Sequence, residues 1–346
     1  MDRSLIIFFQ APADLPYVLK LYEENVGKRL IHIYVINVEN NYKFITKLNL
    51  KVDSITFIPY LNYSVKRIFS CIKAFIQIRG IYKKYFLKIH NADIYFFSII
   101  TDWMTSFFVV NLTKDITNIV LYADHYDHIE LRKKVKKLTF KQWVNSTLAL
   151  FISTIPYDYH YEREENIYSF PYQLYNIKKT VAQSINNFGR YSFNIDCVMN
   201  GKYNILFLVN PWGYEGLQIA DRECTEVMQL IKKLQSLGAN IIIKGHPRMG
   251  LNQRVRDIAD FVIPEYIPSQ FINVNNINLV IGVETTGLFH YIDYSDIPVF
   301  SIVKLLNSVG HRHVNRIVTF LDTHTNGRMK YFESVDHLIS FVKTNK

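Results

Sequence analysis

The sequence predicts an α/β protein built as two successive units, each organised around a parallel sheet. Three observations predict it. Short β-branched or aromatic runs alternate with longer amphipathic segments along the 346 residues, the alternation stops once near the middle and then resumes, and the length suits two cores at roughly 150 residues per domain. Hydrophobic residues make up 49% of the chain and charged residues 20%, a balance that excludes disorder, collagen-like repeats and a disulfide miniprotein.

In the first unit, residues 1–155, the runs at 5–9, 31–38, 54–58, 93–97 and 118–122 are rich in Ile, Val, Tyr and Phe and read as buried strands. Helices fill the gaps. The clearest spans 65–88: Val65, Ile68, Phe69, Ile72, Phe75 and Ile76 recur at helical spacing and are assigned to the core, whereas Lys66, Arg67, Lys73, Arg79, Lys83 and Lys84 fall mostly outside that stripe. Between 156 and 200 the pattern gives way to Tyr, Asn and charged residues, and this stretch reads as the interdomain crossing. The second unit, 201–346, resumes with a strand at 204–209, a helix at 215–237 stopped by Gly238 and a strand at 240–244. A helix at 251–259, a strand at 278–281, a helix opening near Thr286, a strand at 298–302 and a terminal helix at 335–344 complete it.

Forty Lys and Arg against thirty Asp and Glu leave a net charge of +10, which suits an anionic partner such as a nucleotide or an acidic membrane surface. No zinc finger, RRM signature or recognition-helix pattern accompanies the charge, so nucleic acid is not read as the partner. Cys71, Cys197 and Cys224 are odd in number and lack metal-site or C-x-x-C spacing, which fits a reducing, cytoplasmic setting. The apolar run Leu5 to Phe9 is too short for a signal-peptide core, and no stretch reaches the about 18 uninterrupted apolar residues of a spanning helix. The basic run 132–137 and the cationic face of the 65–88 helix fit either plain solvation or peripheral contact with anionic lipid.

Candidate chemistry sits where strands end. Lys244-Gly245-His246-Pro247 follows a buried run: the glycine permits a sharp turn, the proline stiffens the exit, and a titratable imidazole is presented where it can meet a leaving phosphate. A capping histidine and a solvated strand-end lysine are the competing readings of His246 and Lys244. Asp124 ends the 118–122 run and can serve as a general base on a hydroxyl, or as a helix N-cap. With His125, Asp127 and His128 it also offers a possible metal set, to which no second cluster contributes. Thr285 and Thr286 open a helix after a short strand, and paired hydroxyls at a helix N-terminus make a phosphate cradle or an ordinary cap. Asn210, Trp212 and Gly213 end the first strand of the second unit, where Trp212 can stack on a sugar or base or close the rim of the core.

As a set these residues resemble the bacterial sialyltransferases of GT-B architecture, which carry a D/E-D-G motif in the first domain and an H-P motif in the second. Lys244-Gly245-His246-Pro247 matches the second motif, and Asp124 aligns with the catalytic aspartate of the first, with Ala123 in place of the preceding acid and His125 in place of the glycine. Thr285-Thr286 falls at the family's hydroxyl pair. Gln270 stands at the position of a ribose-binding acid, with Glu265 upstream as a substitute. The order of motifs matches over residues 118 to 290, and teichoic acid glycerol-phosphate polymerases and some Kdo transferases share a similar H-P motif. The resemblance implies two Rossmann-like domains facing across a cleft and inverting transfer from CMP-sialic acid, or a related CMP-nonulosonate, to a hydroxyl of a capsule or lipooligosaccharide glycan. Asp124 would be the base, and His246 with Thr285 and Thr286 would hold the departing phosphate. Lys244, Gly245, Pro247, Gln270, Asn210, Trp212 and Gly213 would line the donor site, with no metal and no cofactor.

Overall fold

The computed structural model describes residues 3–59, 68–87, 89, 91–97, 107–108, 111–112, 118–122, 178–180, 183–195, 202–209, 217–247 and 250–346. The chain divides into two compact units, Met1–Asn186 and Asn187–Lys346.

In the first unit, β1 (Ser4–Phe9), β2 (Ile31–Ile36), β3 (Ser54–Ile58), β4 (Ala92–Phe97), β5 (Asn118–Tyr122) and β6 (Lys178–Thr180) form one sheet. Its order is β3-β2-β1-β4-β5-β6, and every pairing is parallel. The helices α1 (Leu15–Asn25), α2 (Glu39–Lys47) and α3 (Ile68–Tyr85) connect these strands. A strand with neighbours on both sides and helices over both faces must be apolar throughout, and β1 is buried from Leu5 to Phe9. Phe8 stacks on Tyr34 with ring centroids 4.9 Å apart and meets Phe86 at 5.2 Å, an aromatic cluster set within a mainly aliphatic core.

The second unit repeats the plan with β7 (Tyr203–Leu208), β8 (Ala239–Lys244), β9 (Phe261–Ile263), β10 (Leu279–Gly282), β11 (Val299–Ser301) and β12 (Lys330–Tyr331). The order is β12-β11-β10-β7-β8-β9, again all parallel. Helices α4 (Leu217–Ser236), α5 (Gln253–Arg256), α6 (Gly287–Tyr294), α7 (His311–Thr325) and α8 (Val335–Asn345) accompany them. Gly238, at φ +78°, takes the left-handed position that ends α4 and turns the chain into β8. Within each unit the chain winds outward from its first strand, then returns to that strand's other side. The reversal falls between β1 and β4 and between β7 and β10, and the carboxyl ends of such strand pairs are left open for a ligand.

One expectation is corrected. The residues Ile72 and Ile76, assigned to the core, are exposed, while Ala74 and Ile78 of α3 are buried. The helix is apolar on more than one face, so periodicity alone cannot choose the face that packs. The stretch read as a crossing carries short elements of its own. β6 extends the first sheet, and Ile185 donates its amide to Pro16. From residue 187 the chain joins the second unit: Phe193 donates its amide to Phe271 at 2.6 Å and accepts that of Asn273 at 2.9 Å. There the Phe188 ring meets Phe271 at 5.6 Å, His290 at 4.6 Å and Tyr294 at 5.3 Å. Among the described residues no helix is long and apolar enough to cross a membrane.

Candidate functional site

Every residue of β8 is buried, including its last, Lys244, which is 3% exposed. The reading of Lys244 as a solvated strand-end lysine is therefore overturned: with both sheet neighbours in place, its stem runs inside the fold. Its Nζ donates to the carbonyl oxygens of Gly245 at 2.7 Å and Glu265 at 3.3 Å. Burial lowers the ammonium's pKa to about 8, and the nearby Glu265 carboxylate opposes that shift.

The folded pKa of Lys244 lies below its unfolded value, so between about pH 8 and the ordinary lysine range the unfolded chain binds the extra proton and stability rises with pH. Below pH 8 the full cost of the buried charge is present, on the order of 3 kcal/mol. Urea unfolding of wild type and Lys244→Met at pH 7 and pH 10 checks this. The wild type is expected to gain on the variant at the higher pH, and a pH-independent difference would mean that the ammonium is comfortable where it lies.

Beyond Lys244 the backbone is closely approached. A Cβ on Gly245 would lie 3.0 Å from the Leu251 Cβ and 3.1 Å from the Gly250 carbonyl oxygen. The amide of His246 donates to Gly250 at 3.0 Å and that of Gly250 to His246 at 2.9 Å, so the segment bearing His246 and Pro247 folds back on itself. Both residues are half-buried. The Glu265 carboxylate lies against Gly250 and accepts from Arg256 at 2.9 Å.

Two strands away, β10 ends at Gly282 and leads to the opening of α6. Thr285 Oγ1 accepts from the Gly287 amide at 3.2 Å, which leaves its hydroxyl proton to donate elsewhere. Thr286, exposed at the helix start, accepts from the Phe289 amide through its carbonyl at 3.2 Å. A Cβ on Gly287 would come within 2.7 Å of Ser269 Oγ and 3.1 Å of Leu208 Cδ1. The single-turn helix Ser269–Phe271 is thereby seated on the α6 N-terminus, and the buried Tyr291 hydroxyl ties it there by donating to the Ser269 carbonyl at 2.5 Å.

Because β8 and β10 flank β7, the strands that lead to the His246 segment and to the Thr285–Thr286 pair run about 10 Å apart, two strand spacings, and both segments leave the carboxyl end of one sheet. Lys244, Gly245, His246, Pro247, Gln270, Thr285 and Thr286 are all gathered at that end. Asp124, Asn210, Trp212 and Gly213, and with them His125, Asp127 and His128, lie outside the described residues; β5 ends two residues before Asp124 and β7 two before Asn210. Among the described residues no group of three or more His, Cys, Asp or Glu is placed to hold a metal ion. Sequence reasoning missed Ser269, Tyr291 and the Arg256–Glu265 pair. Ile267-Pro268-Ser269 was a usable turn signal, but a carbonyl as the target of a tyrosine leaves no trace in sequence.

The comparisons with known proteins bear on the fold. No protein-family model matches the sequence, and no curated protein does. Among solved structures the chain is similar to Arabidopsis thaliana UGT89C1 complexed with UDP, over 99% of this chain and 91% of that one, at 8% identity and a TM-score of 0.51. Methanocaldococcus jannaschii UDP-GlcNAc 2-epimerase in complex with UDP-GlcNAc and UDP matches over 99% and 92% at 13% identity and TM-score 0.45. Acinetobacter baumannii MurG matches over 99% and 91% at 11% identity and TM-score 0.39. Two parallel-sheet α/β units with this likeness define the class: the chain has the GT-B glycosyltransferase fold.

Proposed function

We propose that the protein is an inverting glycosyltransferase that moves sialic acid, or a related nonulosonic acid, from its CMP donor to a hydroxyl of a bacterial surface glycan. The observation that carries this reading is the gathering of the His246 segment, the Thr285–Thr286 helix opening and Gln270 at the carboxyl end of the second sheet, beside its winding reversal. An imidazole and a hydroxyl-lined helix N-terminus on either side of one strand suit an anionic phosphate held between them.

In the proposed reaction Asp124 removes the proton of the acceptor hydroxyl and the oxygen attacks the anomeric carbon from the face opposite the phosphate. The bond to CMP breaks with inversion. Charge that develops on the leaving phosphate is met by His246 and by Thr285 and Thr286. Gly245 and Pro247 shape the His246 segment, Gln270 faces the nucleoside, and Asn210, Trp212 and Gly213 line the donor from the end of β7. Lys244 acts from inside, holding the two carbonyls that frame the segment. No divalent ion or cofactor has a step in this scheme.

The reading is tested by CMP release from CMP-sialic acid and from CDP-glycerol, with EDTA present, for wild type and Asp124→Asn. Release from CMP-sialic acid that survives EDTA and is lost in Asp124→Asn is the expected result. Turnover of CDP-glycerol alone would move the protein to the glycerophosphotransferases, and release from neither would discard a cytidine-linked donor.

A further inference from the structure

Helix α3 carries its exposed isoleucines on a face with no negative charge. Ile72 and Ile76 are 50% and 65% exposed, and Leu87, just beyond the helix, is 57% exposed. At 3.6 residues per turn, Ile72, Ile76, Arg79 and Lys83 fall on one line along the helix, with Lys73 and Lys84 about 100° round to one side of it. The sequence of α3 contains neither Asp nor Glu. Ala74 and Ile78, on the far side, are buried and seat the helix on its own unit. The Arg79 guanidinium lies 4.8 Å from the Phe75 ring centroid and the Lys84 ammonium 4.8 Å from that of Tyr85, so these two cations are held over aromatic rings of their own helix.

We propose that this face of α3 docks on an anionic lipid bilayer, Ile72 and Ile76 entering the acyl boundary while Lys73, Arg79, Lys83 and Lys84 meet lipid phosphates. Apolar side chains interleaved with cations on one exposed helix face are what such a surface binds, because burial of the former and attraction of the latter act together. A second copy of the chain would bring four cations against four across the contact, an arrangement that opposes association. A nucleic acid would be held through stacking aromatic rings, and here the exposed apolar groups are isoleucines and a leucine. The inference is independent of the donor chemistry.

The test is co-sedimentation of the full chain with vesicles of phosphatidylcholine alone and of phosphatidylcholine containing phosphatidylglycerol. Wild type is expected to bind the anionic vesicles, not the neutral ones, and to be released as salt is raised. Ile72→Ser and Ile76→Ser are each expected to weaken binding about tenfold. The quadruple variant Lys73→Gln, Arg79→Gln, Lys83→Gln and Lys84→Gln is expected to lose several hundredfold, at about fivefold per charge. Wild type left in the supernatant with anionic vesicles would overturn the proposal, as would binding unchanged in both sets of variants. A concentration-dependent dimer abolished by Ile76→Ser, without lipid binding, would give the face to a second copy.

Discussion

His246→Ala is expected to lower CMP release by about 10²–10³-fold, mainly in kcat, with the unfolding midpoint close to that of wild type. The separation of effects follows from how the segment is built. Its course is held by the backbone exchange between His246 and Gly250 and by the close packing of Gly245 against Gly250 and Leu251, so truncating a half-buried imidazole leaves the loop in place. In the proposed reaction the variant lacks the group that meets charge growing only as the phosphate departs, and such a group acts on turnover more than on donor affinity. Steady-state kinetics with thermal melts of the same preparation checks both halves. Unchanged turnover would show that His246 is a capping residue and that the phosphate is met elsewhere.

Phe271→Ala is expected to destabilise the protein by about 3–5 kcal/mol, the range for emptying an aromatic site in a packed core. Phe271 is fully buried, and its ring centroid lies 5.6 Å from that of Phe188. Its carbonyl accepts the Phe193 amide at 2.6 Å. The void would open where residues 187–195 join the second unit and directly beneath Ser269 and Gln270, so the loss should be felt at the site as well as in the core. Urea unfolding reads the stability, and hydrogen exchange at the Phe193 amide reads the join. Fast exchange there is expected in the variant, and slow exchange would mean that the backbone bond holds without the ring.

Much of this organisation is legible in the sequence because parallel sheets write themselves plainly. A strand covered on both faces is a continuous apolar run, as in β1, β7, β8 and β10, and these together with β3 and β5 are recognisable within a residue or so. The motif residues of the second unit are legible for a related reason: a glycine or a pair of hydroxyls directly after such a run marks a turn at the carboxyl end of the sheet. Strands of two or three residues, such as β6, β9 and β12, are too short to display a period and pass unseen. The packing face of α3 was misread because Ile72 and Ile76 carry the same hydrophobic signal as Ile78, and only the neighbouring elements decide which is covered. The burial of Lys244 was hidden by its charge, since a lysine at a strand end is ordinarily solvated and nothing local announces two carbonyls waiting for it.

The shortness of the outer strands also bears on how the chain behaves when crowded. A β-strand added to the side of a sheet gains about one ladder bond for each residue it can pair, and a border of two or three residues gives it too few to hold. β9 and β12 border the second sheet on this scale, and β6 borders the first with two lysines among its three residues. Among the described residues that leaves β3, five residues without a charge, as the border best able to template a foreign strand. Strand addition to these sheets is expected to favour Ser54–Ile58, and Thr56→Lys is expected to slow seeded aggregation relative to wild type.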